Sequence, residues 1–210
     1  MTNSKYNFKI VFVILGEILS LEEGPGRTAA LVAWLQGLFE DDDAAPVLVG
    51  GAAVELYTLG AYTTGDIDLV GTVTPSAARL LKESGFERHG RHWLHEPAQI
   101  FVEFPGSVLD PDEKVSRIEF AGHEVRIISA EDLLIDRLGS WEYWRSSVDG
   151  VNALRLWRSR NENMDVERLE NRIAQTGWQM AWQSLLKFSA RWEQREPPVE
   201  EIEKWANEGP

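Results

Sequence analysis

Residues 47–70 read VLVGGAAVELYTLGAYTTGDIDLV, and this stretch decides the fold. The apolar run Pro46–Val49 predicts a short buried strand, which two glycines follow. Ala52–Leu59 predicts a helix, and Asp66–Thr72 predicts the next strand. A strand, a glycine turn, a helix and a second strand indicate an α+β domain built on a mixed β-sheet with flanking helices.

Two aspartates on the second predicted strand suggest chemistry. Asp66 and Asp68 point to the same face because side chains alternate along a strand, whereas Ile67 and Leu69 point into the protein. Neighbouring carboxylates repel unless a cation lies between them, and Asp is a weak strand former. Mg²⁺ prefers oxygen ligands and often joins protein carboxylates to substrate phosphates. The pair therefore predicts a magnesium site beside a phosphate group.

The glycine pair and a later acid extend this hypothesis. Gly50 and Gly51 allow a phosphate to approach the backbone, and the following helix points its N-terminal amides toward it. A two-metal site usually recruits a third carboxylate that also accepts a proton. Glu103 is the best candidate because it is the lone acid in the predicted strand Gln99–Phe104, although an acid there is also typical of an edge or surface-facing position. Two acids in similar strands are the fallback choices: Glu119 and Glu124.

Composition excludes several classes of function. The chain has 210 residues and no cysteine, so it has no disulfide, thiolate metal site or cysteine nucleophile. A net charge of −13 argues against a broad nucleic-acid-binding face without excluding one local basic groove. Phe8–Leu19 is apolar but contains Glu17 and is too short to span a membrane, so an ordered strand or helix and a cytoplasmic location are expected. The run Asp41–Asp43 is typical of a solvated turn.

Two hairpins are predicted before residue 129. Phe86–Leu94 turns at Gly90, and Arg117–Ile128 turns at Ala121-Gly122. Three histidines recur at every third residue of the first hairpin, but this spacing puts His92 and His95 on opposite faces of a strand. We therefore do not expect these histidines to share a metal ion.

The chain is expected to divide into an α+β domain, residues 1–128, and a C-terminal helical region packed on it, residues 129–210. Ser129-x-x-Asp132 resembles a capping box that opens a long helix. Six of the nine tryptophans lie between Trp141 and Trp192, and helical spacing favours core packing over base stacking. We expect the last dozen residues to be loosely held.

The glycine pair, Asp66-Ile67-Asp68 and the later strand acid resemble the nucleotidyltransferase superfamily, which has the polymerase-beta-like fold. The chain is most similar to its minimal and abortive-infection-type bacterial and archaeal members. Residues 129–138 resemble the helix-opening segment that follows the catalytic sheet there, and residues 141–153 resemble its continuation. The resemblance covers about residues 46–155.

This resemblance implies transfer of a nucleoside monophosphate from a nucleoside triphosphate to a hydroxyl, with release of pyrophosphate. It implies that Gly50 and Gly51 hold the triphosphate and that Asp66 and Asp68 bind two Mg²⁺ ions. Glu103 is then the third metal ligand and the base. The reaction chemistry agrees, because two metal ions can stabilise both the entering and the leaving oxygen of a phosphoryl transfer.

The chain departs from the family pattern in its basic residues. Relatives often carry an arginine shortly before Asp-x-Asp, where this chain has AYTTG at residues 61–65, and a serine where it has Gly51. The positive charge that binds the triphosphate is then expected from one of four other residues: Lys82, Arg88, Arg91 or Arg137. Asp136 and Arg137 lie about 100° apart on a helix, so a mutual salt bridge is not expected. Either Arg137 contacts phosphate, or the two residues tie the helical region to the sheet.

Two hypotheses follow. The favoured one is a Mg²⁺-dependent nucleotidyltransferase acting on a small molecule, a tRNA end or a protein side chain. The alternative is a catalytically degenerate nucleotide-binding protein or toxin–antitoxin partner, with a cognate antitoxin or a second copy of the chain as its partner. No membrane partner is expected. Both aspartates favour the enzyme, and the missing arginine favours the degenerate binder.

Overall fold

The computed structural model describes residues 8–39 and 44–210, so the predicted turn at Asp41–Asp43 lies outside the described residues. The chain divides into two compact units between Ile128 and Ser129. In these described ranges it is a mixed α/β protein with nine helices and a seven-stranded sheet, and its C-terminal unit is helical.

The first unit contains four helices and all seven strands of the described part of the chain. The helices are α1 (Phe8–Leu19), α2 (Pro25–Gly37), α3 (Gly50–Tyr57) and α4 (Pro75–Glu83). The strands are β1 (Val47–Val49), β2 (Asp66–Val70), β3 (Glu87–His89), β4 (His92–His95), β5 (Ile100–Glu103), β6 (Val115–Phe120) and β7 (His123–Ile128). Both predicted hairpins are present, as β3–β4 and β6–β7.

The strands form one sheet in the order β3-β4-β5-β2-β1-β7-β6. β2 runs parallel to β5, and β1 runs parallel to β7. The other neighbours are antiparallel. β2 and β1 therefore lie in the interior of the sheet, and the β2–β5 pair brings two acid-bearing strands side by side.

Local sequence explains where several elements begin. Thr74 caps α4 by accepting a hydrogen bond from the amide of Ala77, and a proline follows at the first helical position. Helix α3 begins at Gly50, two residues earlier than predicted, so the glycine pair forms its first turn. Ile67 and Leu69 are buried at 6% and 0% exposure, which confirms the predicted inward face of β2.

The second unit contains the five remaining described helices: α5 (Ala130–Trp144), α6 (Ser147–Arg160), α7 (Val166–Thr176), α8 (Gln179–Arg191) and α9 (Val199–Glu208). The predicted cap at Ser129 is confirmed, because its hydroxyl accepts from the amide of Asp132. Asp132 is 2% exposed, and its carboxylate accepts two hydrogen bonds from Arg168 of α7 at 2.9 and 2.7 Å. The opening turn of α5 is thereby joined to α7.

Tryptophans fill much of this second core. Trp141 and Trp182 are buried, as predicted, while Trp178 and Trp192 are half-buried. The indole N–H of Trp141 donates to the carbonyl of Ala206 at 2.8 Å. The expectation that the last dozen residues are loosely held is therefore wrong: α9 is ordered because its turns cover a large buried ring.

In residues 8–39 and 44–210, no helix has both the length and the apolar character needed to cross a bilayer.

Candidate functional site

The three predicted carboxylates lie on one face of the sheet. In the register of β2 and β5, Asp68 is the partner of Glu103, and Asp66 is the partner of Phe101. Register partners on neighbouring strands share a face and lie about 4.8 Å apart. Asp66 is exposed, whereas Asp68 and Glu103 are half-buried. The structure thus brings Asp68 and Glu103 side by side, with Asp66 two residues further along β2.

The backbone of Gly50 lies against the carboxylate of Asp68. Its φ of +67° lies in the left-handed region, and a Cβ there would fall 2.1 Å from Oδ2 of Asp68. Only glycine allows this carboxylate to lie against the first turn of α3. The residue before the helix, Val49, provides no side-chain cap. The helix N-terminus, which favours negative charge, therefore faces a carboxylate-bearing strand.

Gly51 serves the loop that precedes Asp66. A Cβ at this position would lie 3.1 Å from both Cβ and Oγ1 of Thr64. Oγ1 of Thr64 accepts a hydrogen bond from the amide of Asp66 at 3.3 Å. The absence of a side chain at residue 51 lets the loop approach the helix closely enough to set the start of β2.

Glu55 is a buried acid that sequence reasoning missed. It is 2% exposed and accepts a hydrogen bond from the hydroxyl of Thr28 at 3.3 Å and another from the backbone N–H of Thr64. Burial raises the pKa of Glu55, and these two hydrogen bonds offset only part of that effect. The available signal was a lone acid in the otherwise apolar helix α3, one helical turn after Gly51.

A cavity of about 380 Å³ opens beside this loop. Residues from four parts of the first unit line it: Arg27 and Thr28 of α2, Glu55 of α3, Thr63 to Ile67, and Ala98 to Ile100. Its size and its mixture of apolar and polar side chains suit a small molecule. Asp66 belongs both to the cavity and to the carboxylate-bearing strand.

The carboxylate of Glu103 contacts two basic side chains of the β3–β4 hairpin. Nε of Arg91 lies 2.7 Å from Oε1, and Nε2 of His92 lies 3.3 Å from Oε2. The side chain of Glu103 is 25% exposed. Sequence reasoning named Arg91 as a source of charge but did not foresee this contact, which depends on the antiparallel register of β4 and β5.

The donor set fits magnesium by its chemistry, because carboxylate oxygens are hard ligands. The described side chains, however, include no group of three His, Cys, Asp or Glu residues close enough together to hold a metal ion. Arg91 and His92 contact the two carboxylate oxygens that Glu103 would offer to a metal. Asp66, Asp68 and Glu103 therefore remain the predicted ligands.

The histidines behave differently from one another. His92 contacts Glu103, while His95 makes a tilted ring contact with Phe86 and accepts a hydrogen bond from the amide of Ala98, so their predicted separation on opposite faces is confirmed. His89, however, is the cross-strand partner of His92 and shares its face. The two-residue turn between them was a signal for this pairing, since residues flanking such a turn lie opposite each other.

Arg137 lies in the second unit, where its two terminal nitrogens form ion pairs and its buried Nε has no hydrogen-bond partner among the described residues. It forms ion pairs with Asp149, at 2.7 Å, and with the adjacent Asp136. The prediction that Asp136 and Arg137 do not pair is wrong, because the long arginine stem carries the guanidinium across the 100° between them. Burial lowers the pKa of Arg137, but the two aspartates outweigh burial and raise it. Its assignment to the nucleotide remains a prediction.

The fallback acids lie far from β2 in the sheet. Glu119 and Glu124 are partners across the β6–β7 hairpin, and Glu124 pairs with Arg117 at 2.8 Å. Strands β1 and β7 separate β6, which carries Glu119, from β2, and β1 separates β7, which carries Glu124, from β2. Glu103 is thus the strand acid that lies beside Asp68.

Comparison with known proteins gives no assignment: no family model matches the chain, and neither a curated protein nor a solved structure matches it.

Proposed function

We propose that this protein is a Mg²⁺-dependent nucleotidyltransferase with a polymerase-beta-like catalytic fold. It transfers a nucleoside monophosphate from a nucleoside triphosphate to a hydroxyl acceptor. One observation carries the proposal: Asp68 and Glu103 are register partners on parallel strands, and the carboxylate of Asp68 lies against Gly50 at the start of α3.

The arrangement suits phosphoryl transfer because it places negatively charged carboxylates beside the positive end of a helix dipole. Carboxylates on β2 and β5 attract a cation, while the start of α3, where Val49 gives no side-chain cap, favours an anion. A metal–triphosphate complex carries both charges. The glycine at residue 50 keeps the distance between the two features short, which a side chain there would prevent.

In the proposed reaction, the acceptor oxygen forms a bond to the α-phosphorus of the nucleotide. The bond between that phosphorus and the oxygen bridging to the β-phosphate breaks, and pyrophosphate leaves with the bond's electron pair. The acceptor's proton passes to Glu103. Asp66 and Asp68, with Glu103, would hold Mg²⁺, which would supply stabilisation of the charge that develops on the entering and leaving oxygens.

The cavity beside Asp66 supports a small molecule over a tRNA end or a protein as the acceptor. Its volume of about 380 Å³ suits a compact ligand, and the hydroxyls and amide of Thr28, Thr63 and Gln99 offer hydrogen bonds to a polar one. The net charge of −13 adds to this, because it disfavours a large RNA.

The degenerate binder is the alternative, and one observation favours it. Arg91 and His92 contact the carboxylate oxygens that a metal requires, and residues 61–65, just before Asp66, contain no arginine. A protein of this kind would bind nucleotide without turnover. The two functions differ in turnover, and a working metal site also requires that nucleotide binding depend on metal and on Asp68.

The test is thermal stability and calorimetric binding with α,β-methylene analogues of ATP, GTP, CTP and UTP, with Mg²⁺ or with EDTA. A ligand at 100 times its Kd stabilises the fold by about 2.7 kcal/mol. For a chain of this size, that raises Tm by roughly 5–10 °C. We expect such a shift for at least one analogue, only with Mg²⁺ and only when Asp68 is intact.

Asp68→Asn is the informative variant because it removes charge and keeps the side-chain shape beside Gly50. Glu119→Gln is the matched control, since it removes a carboxylate from an exposed position on β6. Pyrophosphate release with natural nucleotides and candidate acceptors then separates the enzyme from the binder. If no analogue binds, or if Asp68→Asn binds as well as the wild type, the proposed function is wrong.

A further inference from the structure

The turn of the β3–β4 hairpin delivers a cation to the carboxylate site. His92 is the register partner of Glu103, and the amide of Phe104 donates to the carbonyl of Arg91 at 3.0 Å. These backbone contacts fix Arg91 at the end of β5, where its Nε lies 2.7 Å from Glu103. The contact therefore follows from strand register as well as from side-chain geometry.

Arg91 differs from the other basic residues considered for this role. Arg88 lies over the ring of Trp93 and donates to the carbonyl of Gly90. Lys82 is in the last turn of α4, and the guanidinium of Arg137 is paired with two aspartates in the second unit. Of these four, Arg91 is the one that contacts a predicted metal ligand.

The guanidinium of Arg91 has capacity for a further anion. Its side chain is 62% exposed, and the contact with Glu103 is made through Nε. A guanidinium carries five N–H donors in a planar fork that suits phosphate oxygens. A polyphosphate approaching a protein of net charge −13 requires a local cation of this kind.

The Arg91–Glu103 ion pair also reduces charge repulsion in the protein without ligands. Asp68 and Glu103 are side by side on neighbouring strands, where their charges repel. Arg91 supplies the cation that this arrangement needs while no metal is present. A metal bound to Glu103 competes with Arg91 for the carboxylate oxygens, which favours a second anion as the partner of the guanidinium.

We propose that Arg91 binds the polyphosphate of the nucleotide after exchanging its partner Glu103 for it, so that metal and nucleotide bind as a coupled pair. The inference rests on the proposed nucleotidyltransferase function. Without nucleotide, Arg91 competes with metal for Glu103. With nucleotide, the polyphosphate takes Arg91 and leaves Glu103 to the metal. Binding of each ligand therefore strengthens binding of the other by the same factor.

The test compares Arg91→Gln with Arg117→Gln. The control breaks an exposed Arg–Glu pair of the same type, with a 2.8 Å contact, on the β6–β7 hairpin. Two affinities are measured for each protein: Mn²⁺ alone, from the free-ion electron paramagnetic resonance signal, and the Mg²⁺ complex of the best α,β-methylene nucleotide, by calorimetry. Circular dichroism melting checks that each variant folds.

We expect opposite changes in Arg91→Gln. Nucleotide affinity falls by about 10- to 100-fold, the range for losing a charge-assisted hydrogen-bonded contact. Affinity for Mn²⁺ alone rises, because the competing cation is gone. Arg117→Gln changes neither affinity by more than about two-fold, as is usual for exposed pairs. Arg91→Lys keeps the charge without the fork and falls between wild type and Arg91→Gln.

Failure of this inference and failure of the proposed function would give different results. If the wild type binds nucleotide in an Asp68-dependent way but Arg91→Gln matches it within two-fold, this inference alone is overturned. The same holds if Arg91→Gln weakens Mn²⁺ and nucleotide together, since that indicates a structural role. If the wild type shows no metal-dependent nucleotide binding, the proposed function fails and the inference fails with it.

Discussion

The carboxylate of Asp68 occupies the space above Gly50, where a Cβ would lie 2.1 Å from Oδ2. Gly50 also has a φ of +67°, which L-residues with side chains rarely adopt. Steric exclusion and backbone conformation therefore require glycine at the same position. A residue predicted to bind phosphate, Gly50, and a residue predicted to bind metal, Asp68, are therefore in direct contact.

Gly50→Ala should destabilise the first unit by at least about 1–2 kcal/mol from the left-handed backbone alone, with the clash added to it. Urea unfolding measures the change. Gly37→Ala is the control, because Gly37 ends α2 and a Cβ there meets nothing within 4 Å. Combining Gly50→Ala with Asp68→Ala should remove the clash, so that only the free-energy cost of the left-handed backbone remains. A Gly50→Ala protein as stable as the control would contradict the close approach of Asp68 to Gly50.

The buried acid Glu55 should make stability depend on pH. Its folded pKa is raised, so the folded state holds the proton more tightly than the unfolded chain does. The resulting stabilisation is fully present below the unfolded pKa of about 4.5 and is lost as pH rises through the higher folded pKa. We expect Glu55→Gln to remove this component, so that its stability relative to wild type improves as pH rises.

Urea unfolding across pH 4 to 8 checks this prediction, and Glu170→Gln, an exposed substitution on α7, is the control. If the unfolding free energy of Glu55→Gln and that of the wild type depend on pH in the same way, then folding does not raise the pKa of Glu55.

Asp132 should matter more for stability than any exposed acid of α5. Its carboxylate is 2% exposed and binds Arg168 through both oxygens. Asp132→Asn leaves a largely buried guanidinium without its charge partner, and we expect a loss of about 3–5 kcal/mol. Asp136→Asn is the control on the same helix, because the Asp136 side chain is 51% exposed. Its cost should stay within about 1 kcal/mol. Chemical denaturation compares the two; similar losses would argue against the buried ion pair.

The two tryptophans near the end of α5 should respond differently to the same substitution. Trp141 is fully buried and donates to Ala206, so Trp141→Phe removes both ring volume and a hydrogen bond. We expect a loss of about 2–4 kcal/mol. Trp144 is 74% exposed, and Trp144→Phe should change stability by no more than about 0.5 kcal/mol. Thermal melting of both variants is the measurement, and equal effects would contradict the assigned burial.

Local chemistry explains what the sequence predicted well. Thr74 and Ser129 mark helix starts because a hydroxyl caps a free amide only a few residues away. The alternation of Asp66-Ile67-Asp68 predicted an inward and an outward face because it depends on strand geometry alone. Both hairpins were visible because their turns contain glycine.

Long-range register explains what the sequence did not reveal. The contact of Arg91 with Glu103 requires β4 to pair with β5, and nothing in either strand states that pairing. Glu55 was overlooked because its partners, Thr28 and Thr64, come from separate segments of the chain. The pair Asp136–Arg137 was misjudged because ideal Cβ directions ignore the reach of a long side chain. The first two misses concern partners that only the assembled fold brings together, whereas the third concerns two neighbouring residues.

The hydrogen bond from Trp141 to Ala206 has a consequence for synthesis on the ribosome. All seven described strands of the first unit have left the ribosome once residue 128 is clear, so its sheet can assemble early. The helix that opens the second unit instead waits for a partner 65 residues later in the chain. During that interval the indole N–H of Trp141 lacks its acceptor and the ring lacks its contact with Trp205, which is the period when a chaperone is most useful. The helical unit is therefore expected to complete its folding only after Ala206 has left the ribosome.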